Sequence, residues 1–306
     1  MTEPEQRNTR RDMRNLATLA RTVTLIAAAA AAAPSASALE VTAGDYEVAP
    51  AGVNILLLYY QHAERSDLYV NGTKVATDFS LKSDIGLIRY IRTVGLSPSV
   101  SVDPQAILPF GKLKSGGSAA FLGEASGTAD LILGAPVKFL LDPTTRDAFS
   151  IGPFIYLPTG NYDNTKPLNL GENRWKGLLQ LAYVKHFDAS WALDVVGDVL
   201  VHGKNTDAGP GATLRQAPRF EAQAHLRYNL SPATALSAGY GYYWGGETKV
   251  NGVAQNDKLK TQYARLTATH FLTQTLQLQA QLGADLSVEN GLKEERRLNL
   301  RLLKIF

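Results

Sequence analysis

Residues 275–286 read TLQLQAQLGADL, and this stretch decides the fold class. Leucine or alanine stands at every even position from 276 to 286, whereas glutamine, glycine or aspartate stands at the odd positions between them. A repeat of two residues is the period of a β-strand, in which successive side chains point to opposite faces. A helix would spread the glutamines around its whole circumference. We therefore predict a strand with one apolar face and one polar face.

The same two-faced pattern recurs at 129–139, 191–199 and 220–229. These stretches are about a dozen residues long, whereas strands of globular proteins usually have about five or six. A tilted strand that crosses a bilayer needs about 9–11 residues. The length of the strands therefore favours an all-β protein that spans a membrane.

The chain alternates between such strands and polar connections. The pattern predicts an antiparallel up-and-down transmembrane β-barrel over residues 52–306, with about twelve strands near 52–63, 81–92, 97–110, 127–140, 148–159, 174–187, 190–201, 216–229, 234–245, 258–271, 274–287 and 294–306. Short turns alternate with mostly longer loops at 64–80, 111–126, 160–173, 202–215, 246–257 and 288–293, as in outer-membrane barrels. An even number of strands places the N- and C-termini on one side, which we predict to be the periplasm.

Aromatic residues collect near both ends of the predicted strands. Beside the short turns stand Tyr90, Phe139, Phe149, Phe187, Trp191, Tyr228, Phe271 and Phe306. Near the long loops stand Tyr59, Tyr60, Phe110, Tyr156, Trp175, Tyr240, Tyr242, Tyr243, Trp244 and Tyr263. Two such belts are typical of the two lipid–water interfaces of a membrane barrel. A soluble β-sandwich has no reason to collect aromatic residues in this way.

The N-terminus has the features of a secretory signal peptide. A basic leader precedes an apolar run at 23–33, and Ala36-Ser37-Ala38 gives a small-x-small cleavage pattern before Leu39. We predict that residues 1–38 are removed, with translation starting at Met1 or Met13. The mature chain then keeps 26 basic and 25 acidic residues, so nothing in its charge indicates a nucleic-acid partner. The sequence contains no cysteine, which excludes disulfides and thiolate metal sites.

The last predicted strand ends on the C-terminal residue Phe306. Leucines alternate with polar residues before it, and Lys304 interrupts the lipid-facing side near the interface, where a lysine costs little. A strand of this kind predicts recognition by the barrel assembly machinery, and then contact with outer-membrane lipids and lipopolysaccharide. A membrane barrel cannot leave an edge unpaired in hydrocarbon, so strand 52–63 is expected to pair with strand 294–306.

The polar faces of the strands must point into the barrel. The candidates that this predicts to line the lumen are Asp130, Asp194, Asp198, Glu221, His225, Arg227, Arg265, Asp285 and Arg301. They could line a selective path, or they could form a network of ion pairs that fills a narrow barrel. The five histidines are scattered and have no metal-ligand spacing, and no catalytic signature is present. We therefore expect no catalytic, metal-binding or cofactor-binding residues.

Several motifs resemble one family. They are LPTGNYD at 157–163, NLGENRW at 169–175, GTAD at 127–130, Asp-Tyr at 45–46 and APAG at 49–52. Together they resemble the outer-membrane transporters associated with the meta-pathway of phenol degradation, over most of residues 45–306. The resemblance implies uptake of aromatic or other hydrophobic compounds. We therefore expect a passive channel for small solutes of this kind in the bacterial outer membrane.

Three questions stay open at this point. Residues 39–51 could lie in the periplasm or enter the lumen as a plug. The lumen could be open or filled, which leaves a structural or ligand-binding barrel without a pore as the alternative to a channel. The sequence does not specify the transported solute or the oligomeric state.

Overall fold

The computed structural model describes residues 41–76 and 78–306, so the predicted signal peptide lies outside the described residues. Twelve antiparallel strands form a barrel in simple up-and-down order. They are β1 (Asn54–Val70), β2 (Phe79–Arg92), β3 (Gln105–Gly117), β4 (in three segments, Glu124–Thr128, Leu131–Gly134 and Val137–Leu140), β5 (Ala148–Leu157), β6 (Lys176–His186), β7 (Trp191–His202), β8 (Arg219–Asn229), β9 (Thr234–Gly245), β10 (Leu259–Thr273), β11 (Leu276–Val288) and β12 (Gly291–Ile305).

The first and last strands close the barrel. β1 pairs with β12 from Ile55 opposite Ile305 to Tyr69 opposite Gly291, and with β2 on its other side. This pairing and the count of twelve strands confirm the predicted fold class. Closure satisfies the backbone groups of both strands, which hydrocarbon could not do.

The two ends of the barrel differ. The turn end carries Asn54, Phe306 and mostly short connections, and the loop end is the opposite one. At the turn end Val94–Ser97 and Val100–Val102 form a hairpin. At the loop end Thr73–Ala76 extends the sheet beside β1, Ala120–Leu122 forms a 3-10 turn, and a separate four-stranded sheet contains Asn205–Gly209, Ala212–Gln216, Thr248–Val250 and Val253–Ala254. No helix in the described residues is long and apolar enough to cross a membrane.

Burial alternates along the strands as the sequence pattern predicts. In β11 the side chains of Gln279 and Gln281 are buried inside the barrel, whereas Leu278 and Leu282 are exposed on the outside. The apolar outer surface therefore faces lipid.

Four of the aromatic residues assigned to the loop-side belt lie inside the barrel instead. Tyr156 and Tyr263 are buried, Tyr59 packs on a cluster inside the barrel, and the Tyr243 ring lies beneath the Arg219 guanidinium. The remaining aromatic residues still mark the interface, because Tyr60, Phe110, Trp175 and Tyr240 are exposed on the outer surface.

Several predicted boundaries are wrong at the loop end. β1 continues to Val70 and β2 starts at Phe79, so most of the predicted loop 64–80 is strand. The predicted loop 288–293 shrinks to the turn between β11 and β12, and the predicted strands 97–110 and 127–140 are displaced or interrupted. Beyond the lipid both faces of a strand can be polar, so the alternation that identifies a strand disappears there.

Candidate functional site: the barrel lumen

Eight of the nine side chains predicted to line the lumen lie at inward-facing positions of the barrel strands, and Asp130 lies where β4 is interrupted. The nine do not form one site. Asp198 and Arg227 are partly buried. The other seven are buried, namely Asp130, Asp194, Glu221, His225, Arg265, Asp285 and Arg301. Seven of the nine belong to a turn-end group, a loop-end group and a polar wall between them. Asp198 on β7 accepts a hydrogen bond from Gln180 on β6 at 3.1 Å, and Asp130 lies apart from the three groups.

The turn-end group surrounds the N-terminal segment, which lies inside the barrel. We call residues 41–50 the plug. Arg301 on β12 donates hydrogen bonds to Asp45 Oδ1 at 2.6 Å and to Thr42 Oγ1 at 3.0 Å. On the opposite side Asp194 on β7 accepts a bond from the Gly44 N–H at 3.2 Å.

Further contacts fix the second half of the plug. The Glu47 carboxylate accepts a hydrogen bond from Arg227 on β8 and lies 3.0 Å from His186 Nε2 on β6. Tyr46 donates its hydroxyl to Gln180, and Lys138 on β4 donates to the Glu47 carbonyl at 2.8 Å. Five strands around the barrel therefore hold the plug in place.

The charge of Asp45 is matched to this position. Burial raises the pKa of its carboxyl group, but the Arg301 and Arg89 guanidinium groups outweigh burial and leave the pKa below its usual value. Asp45 is therefore ionised at neutral pH. A carboxylate whose pKa is lowered by folding stabilises the folded protein, and that stabilisation is lost only as the pH falls through the lowered pKa. The contact between Asp45 and Arg301 therefore persists well into the acidic range.

A second group of charges lies in the loop-end half of the lumen. Its centre is Glu294 on β12, whose carboxylate lies 2.6 Å from Arg297, 2.8 Å from Arg65 and 3.3 Å from Arg265. Asp285 on β11 accepts the backbone N–H of Glu294 at 2.8 Å.

The prediction found Arg265 and Asp285 but missed Glu294, Arg65 and Arg297. Irregular pairing of β1 with β12 between Glu64 and Asp67 shifts the register, which breaks the alternation that would reveal inward positions. The only available signal was the density of charge at 293–297, which reads KEERR.

Between these groups the inner surface of strands β8, β10, β11, β12 and β1 forms a polar wall. Gln281 donates to Thr267 at 3.1 Å and accepts from Asn299 at 2.6 Å, and Tyr263 donates to Glu221 at 2.6 Å. Among residues 41–76 and 78–306 no three His, Asp or Glu side chains are grouped so that they could hold a metal ion.

Asp130 has a different role from the other candidates. It lies where β4 is interrupted, and its two carboxylate oxygens accept the backbone N–H groups of Gly160 at 3.1 Å and Glu172 at 3.2 Å. The backbones of Gly160 and Gly171 touch here, because a Cβ atom on Gly160 would lie 2.7 Å from the Gly171 Cα. Asp130 therefore brings together the motifs GTAD, LPTGNYD and NLGENRW, and it fixes the loop 158–175 onto the barrel.

We expect Asp130→Ala to lower the free energy of unfolding by about 3 kcal/mol, because two hydrogen bonds to a buried charge are lost. Urea titration of the protein in lipid vesicles measures the change. The matched control is Asp163→Ala in the same loop, whose exposed carboxylate bonds to Thr165, and it should cost less than about 1 kcal/mol. Equal losses for the two variants would contradict the role given to Asp130.

The inner surface of strands β2 to β7 is mainly apolar. The loop-end cluster contains Leu68, Phe79, Leu81, Leu113, Ala119, Leu122, Leu168, Leu170 and Leu292. The central cluster contains Leu87, Ile107, Ile132, Phe154, Tyr156, Leu178 and Leu200. The plug cluster contains Val41, Tyr46, Ala148, Ala182, Val184 and Val196.

The three clusters follow one another from the loop end to the plug, and we call this surface the apolar lane. Ile85 packs against both the loop-end cluster and the central cluster. Central-cluster residues then share a small cavity with Val41 and Tyr46 of the plug, and this cavity is also lined by polar side chains, namely Asp45, Gln61, Arg89 and Gln180. That cavity has a volume of about 30 Å³. An apolar cavity of about 150 Å³ holds one benzene, so the space left between the central cluster and the plug is too small for an aromatic ring.

Strand order, an apolar outer surface and a lumen with opposed apolar and polar walls define a bacterial outer-membrane β-barrel channel. A family profile described as the MetA-pathway of phenol degradation matches residues 66–302. The chain belongs to this family, as the motifs around Asp130 indicated. No curated protein sequence matches the chain.

Solved structures agree with this assignment. The crystal structure of the COG4313 outer membrane channel from Pseudomonas putida F1 is 45% identical, with a TM-score of 0.86, and the match covers 87% of this chain and 100% of that one. The β domain of the Bordetella autotransporter BrkA has a TM-score of 0.50 at 9% identity, with 84% of this chain and 100% of that one covered. The second likeness shows the fold alone. The protein is therefore located in the outer membrane.

Proposed function

We propose that the protein is a passive channel through which small apolar and aromatic solutes cross the outer membrane along the apolar lane. The observation that carries the proposal is the continuity of the lane from the loop end to the plug. Moving an apolar solute from water onto an apolar surface is favourable by about 25 cal/mol per Å² of apolar area buried. Water and the polar groups of the solute would face the polar wall on the opposite side of the lumen.

In this proposal the turn end and both termini face the periplasm, and the plug closes the periplasmic half of the lumen. The channel uses no cofactor and no energy source, and it catalyses no reaction. The name of the family supports aromatic compounds as the class of solute, and the lining of the lane supports the same class.

Planar-bilayer conductance and liposome swelling test the proposal with 4-hydroxybenzoate, arabinose and glycine as solutes. We expect the aromatic solute to permeate faster than the other two. The competing candidate is a barrel without a pore, which the contacts of five strands with the plug favour. Impermeability of well-folded protein to all three solutes would establish that candidate and overturn ours.

A substitution in the lane provides a sharper test. Leu87 is buried in the central cluster and borders the small cavity at the plug. We expect Leu87→Gln to slow 4-hydroxybenzoate about fivefold relative to arabinose, because roughly 1 kcal/mol of apolar contact is lost. The control Gln223→Leu makes the reverse exchange on the polar wall and should not slow the aromatic solute. If Leu87→Gln changed the fluxes of 4-hydroxybenzoate and arabinose equally, transport along the apolar lane would be contradicted.

A further inference from the structure

Asp45 of the plug lies beside two arginines of the barrel wall. Arg301 on β12 is buried and pairs with the Asp45 carboxylate at 2.6 Å, and no other carboxylate in the described part of the chain pairs with it. Arg89 on β2 lines the same small cavity as Asp45, and its charge also lowers the pKa of the Asp45 carboxyl group. The counter-charge for these two guanidinium groups therefore comes from the plug.

The barrel itself holds the two guanidinium groups in place. Gln277 on β11 accepts a hydrogen bond from Arg301 at 3.0 Å, and Gln105 on β3 accepts one from Arg89 at 2.7 Å. Tyr59 on β1 accepts a further bond from Arg89 at 3.4 Å. These acceptors are uncharged, so the positive charge of the two arginines stays uncompensated when the plug leaves. A buried charge without a partner is unfavourable, and the site would then favour another anion.

The ring of Tyr46, the next residue of the plug, fills a slot in the barrel wall. It is buried in the plug cluster, and Phe154 on β5 lines the same cavity. The Lys138 ammonium group lies 5.6 Å from the centre of the ring, within range of a cation–π contact. The Tyr46 hydroxyl donates to Gln180 on β6. The slot thus accepts an aromatic ring together with a phenol hydroxyl.

Asp45 and Tyr46 together carry the three groups of a phenolic acid, namely a carboxylate, an aromatic ring and a phenol hydroxyl. Each group has its own partner on the barrel, which is the arginine pair, the apolar slot or the Gln180 amide. Leu87 and Ile107 of the central cluster line the same cavity, so a solute that follows the apolar lane arrives at this point. Because only about 30 Å³ is free there, an aromatic ring can bind only where the plug side chains leave.

We propose that Asp45 and Tyr46 occupy a binding site of the barrel for phenolic carboxylates, and that a solute of this class binds there by displacing the plug. The inference rests on the proposed function and names its class of solute and the signal that releases the plug. A tethered segment competes at an effective concentration in the millimolar range, so the solute must replace most of its contacts. A carboxylate alone or a phenol alone replaces only some of them.

Two arginine substitutions distinguish a binding site from a contact that merely holds the plug. Arg301→Gln and Arg227→Gln each remove one ion pair with the plug, through Asp45 and Glu47 respectively, but only Arg301 belongs to the proposed site. Isothermal titration calorimetry of the full chain in lipid nanodiscs measures the Kd of 4-hydroxybenzoate. We expect Arg227→Gln to bind about threefold more tightly than wild type, because the plug competes less, and Arg301→Gln at least about tenfold more weakly.

Opposite changes in the two variants would therefore support the site. Binding by Arg301→Gln that is as tight as in wild type, or tighter, would overturn it, because a plug contact without a ligand role predicts the same direction for both variants. Absence of 4-hydroxybenzoate binding in the wild-type protein would overturn it as well.

A single cysteine reports the release of the plug directly, since the chain has no other. Ala43 lies in the plug and is partly buried, so Ala43→Cys should react slowly with a membrane-impermeant maleimide. We expect about 10 mM 4-hydroxybenzoate to accelerate the reaction at least about fivefold. 4-Hydroxybenzyl alcohol has the same ring and phenol but no carboxylate, and it should have no such effect. The control Ser287→Cys, at an exposed position of β11, should react at one rate throughout.

These measurements require no transport, so they can fail independently of the channel. If the wild-type protein passes 4-hydroxybenzoate but neither its binding nor the labelling of Ala43→Cys responds as expected, the site is wrong and the channel stands. If 4-hydroxybenzoate binds and releases the plug but does not permeate, the site is supported and the proposed function is refuted.

Discussion

Deletion of residues 41–50 is expected to raise the single-channel conductance about tenfold or more, because the plug fills a lumen intermediate between filled and open barrels. The deletion also removes Asp45 and Glu47, the carboxylate partners of Arg301 and Arg227. These two guanidinium groups then face the pore without those partners. The open channel should therefore prefer anions, which reversal potentials in a KCl gradient measure.

Two variants with substitutions serve as comparisons for the deletion. Asp45→Asn/Glu47→Gln keeps the plug at full length but removes its charges, and it should open more often than wild type while conducting less than the deletion. Asp163→Asn/Glu289→Gln removes two carboxylates outside the lumen and should conduct like wild type. If the deletion protein folds but conducts no better than wild type, the lumen is closed by something other than the plug.

Glu294→Gln is expected to lower the free energy of unfolding by about 3–5 kcal/mol, because it leaves three buried guanidinium groups around a neutral side chain. The side chains of Glu294, Arg65, Arg265 and Arg297 are each at most 6% exposed, so water offsets little of this repulsion. Urea titration in lipid vesicles measures the loss.

The control for this prediction is Glu289→Gln. Its ion pair with Lys260 is 2.9 Å long, and both side chains are about half exposed. Exposed pairs contribute about 0–1 kcal/mol, so this variant should unfold almost like wild type. Similar losses for the two variants would mean that the Glu294 group is hydrated and contributes no more than a surface pair.

In the proposed function a ring compound follows the loop-end cluster and then the central cluster to Tyr46 of the plug. Leu87→Gln tests the apolar lane and the deletion of residues 41–50 tests the plug, so a defect in one can be separated from a defect in the other.

The sequence by itself determined the class of fold. Alternation of the kind seen at 275–286 has only one structural meaning when it recurs in stretches long enough to cross lipid, and the closing pair β1–β12 followed because hydrocarbon forbids a free edge. The same alternation assigned the inward positions of Asp194, Glu221 and Arg301 inside the membrane. The resemblance to a family singled out the motifs that contain Asp130, Gly160 and Gly171, although it gave no reason for the relation between them.

Only the tertiary structure decided how the inner surface is used. Alternation reports which face a side chain is on, but not what lies across the lumen from it. The plug, the Glu294 group and the apolar lane all depend on contacts between strands that are distant in sequence. The pattern also fails outside the lipid, where polar residues are tolerated on both faces, and so the extension of β1 to Val70 could be seen only in the folded barrel.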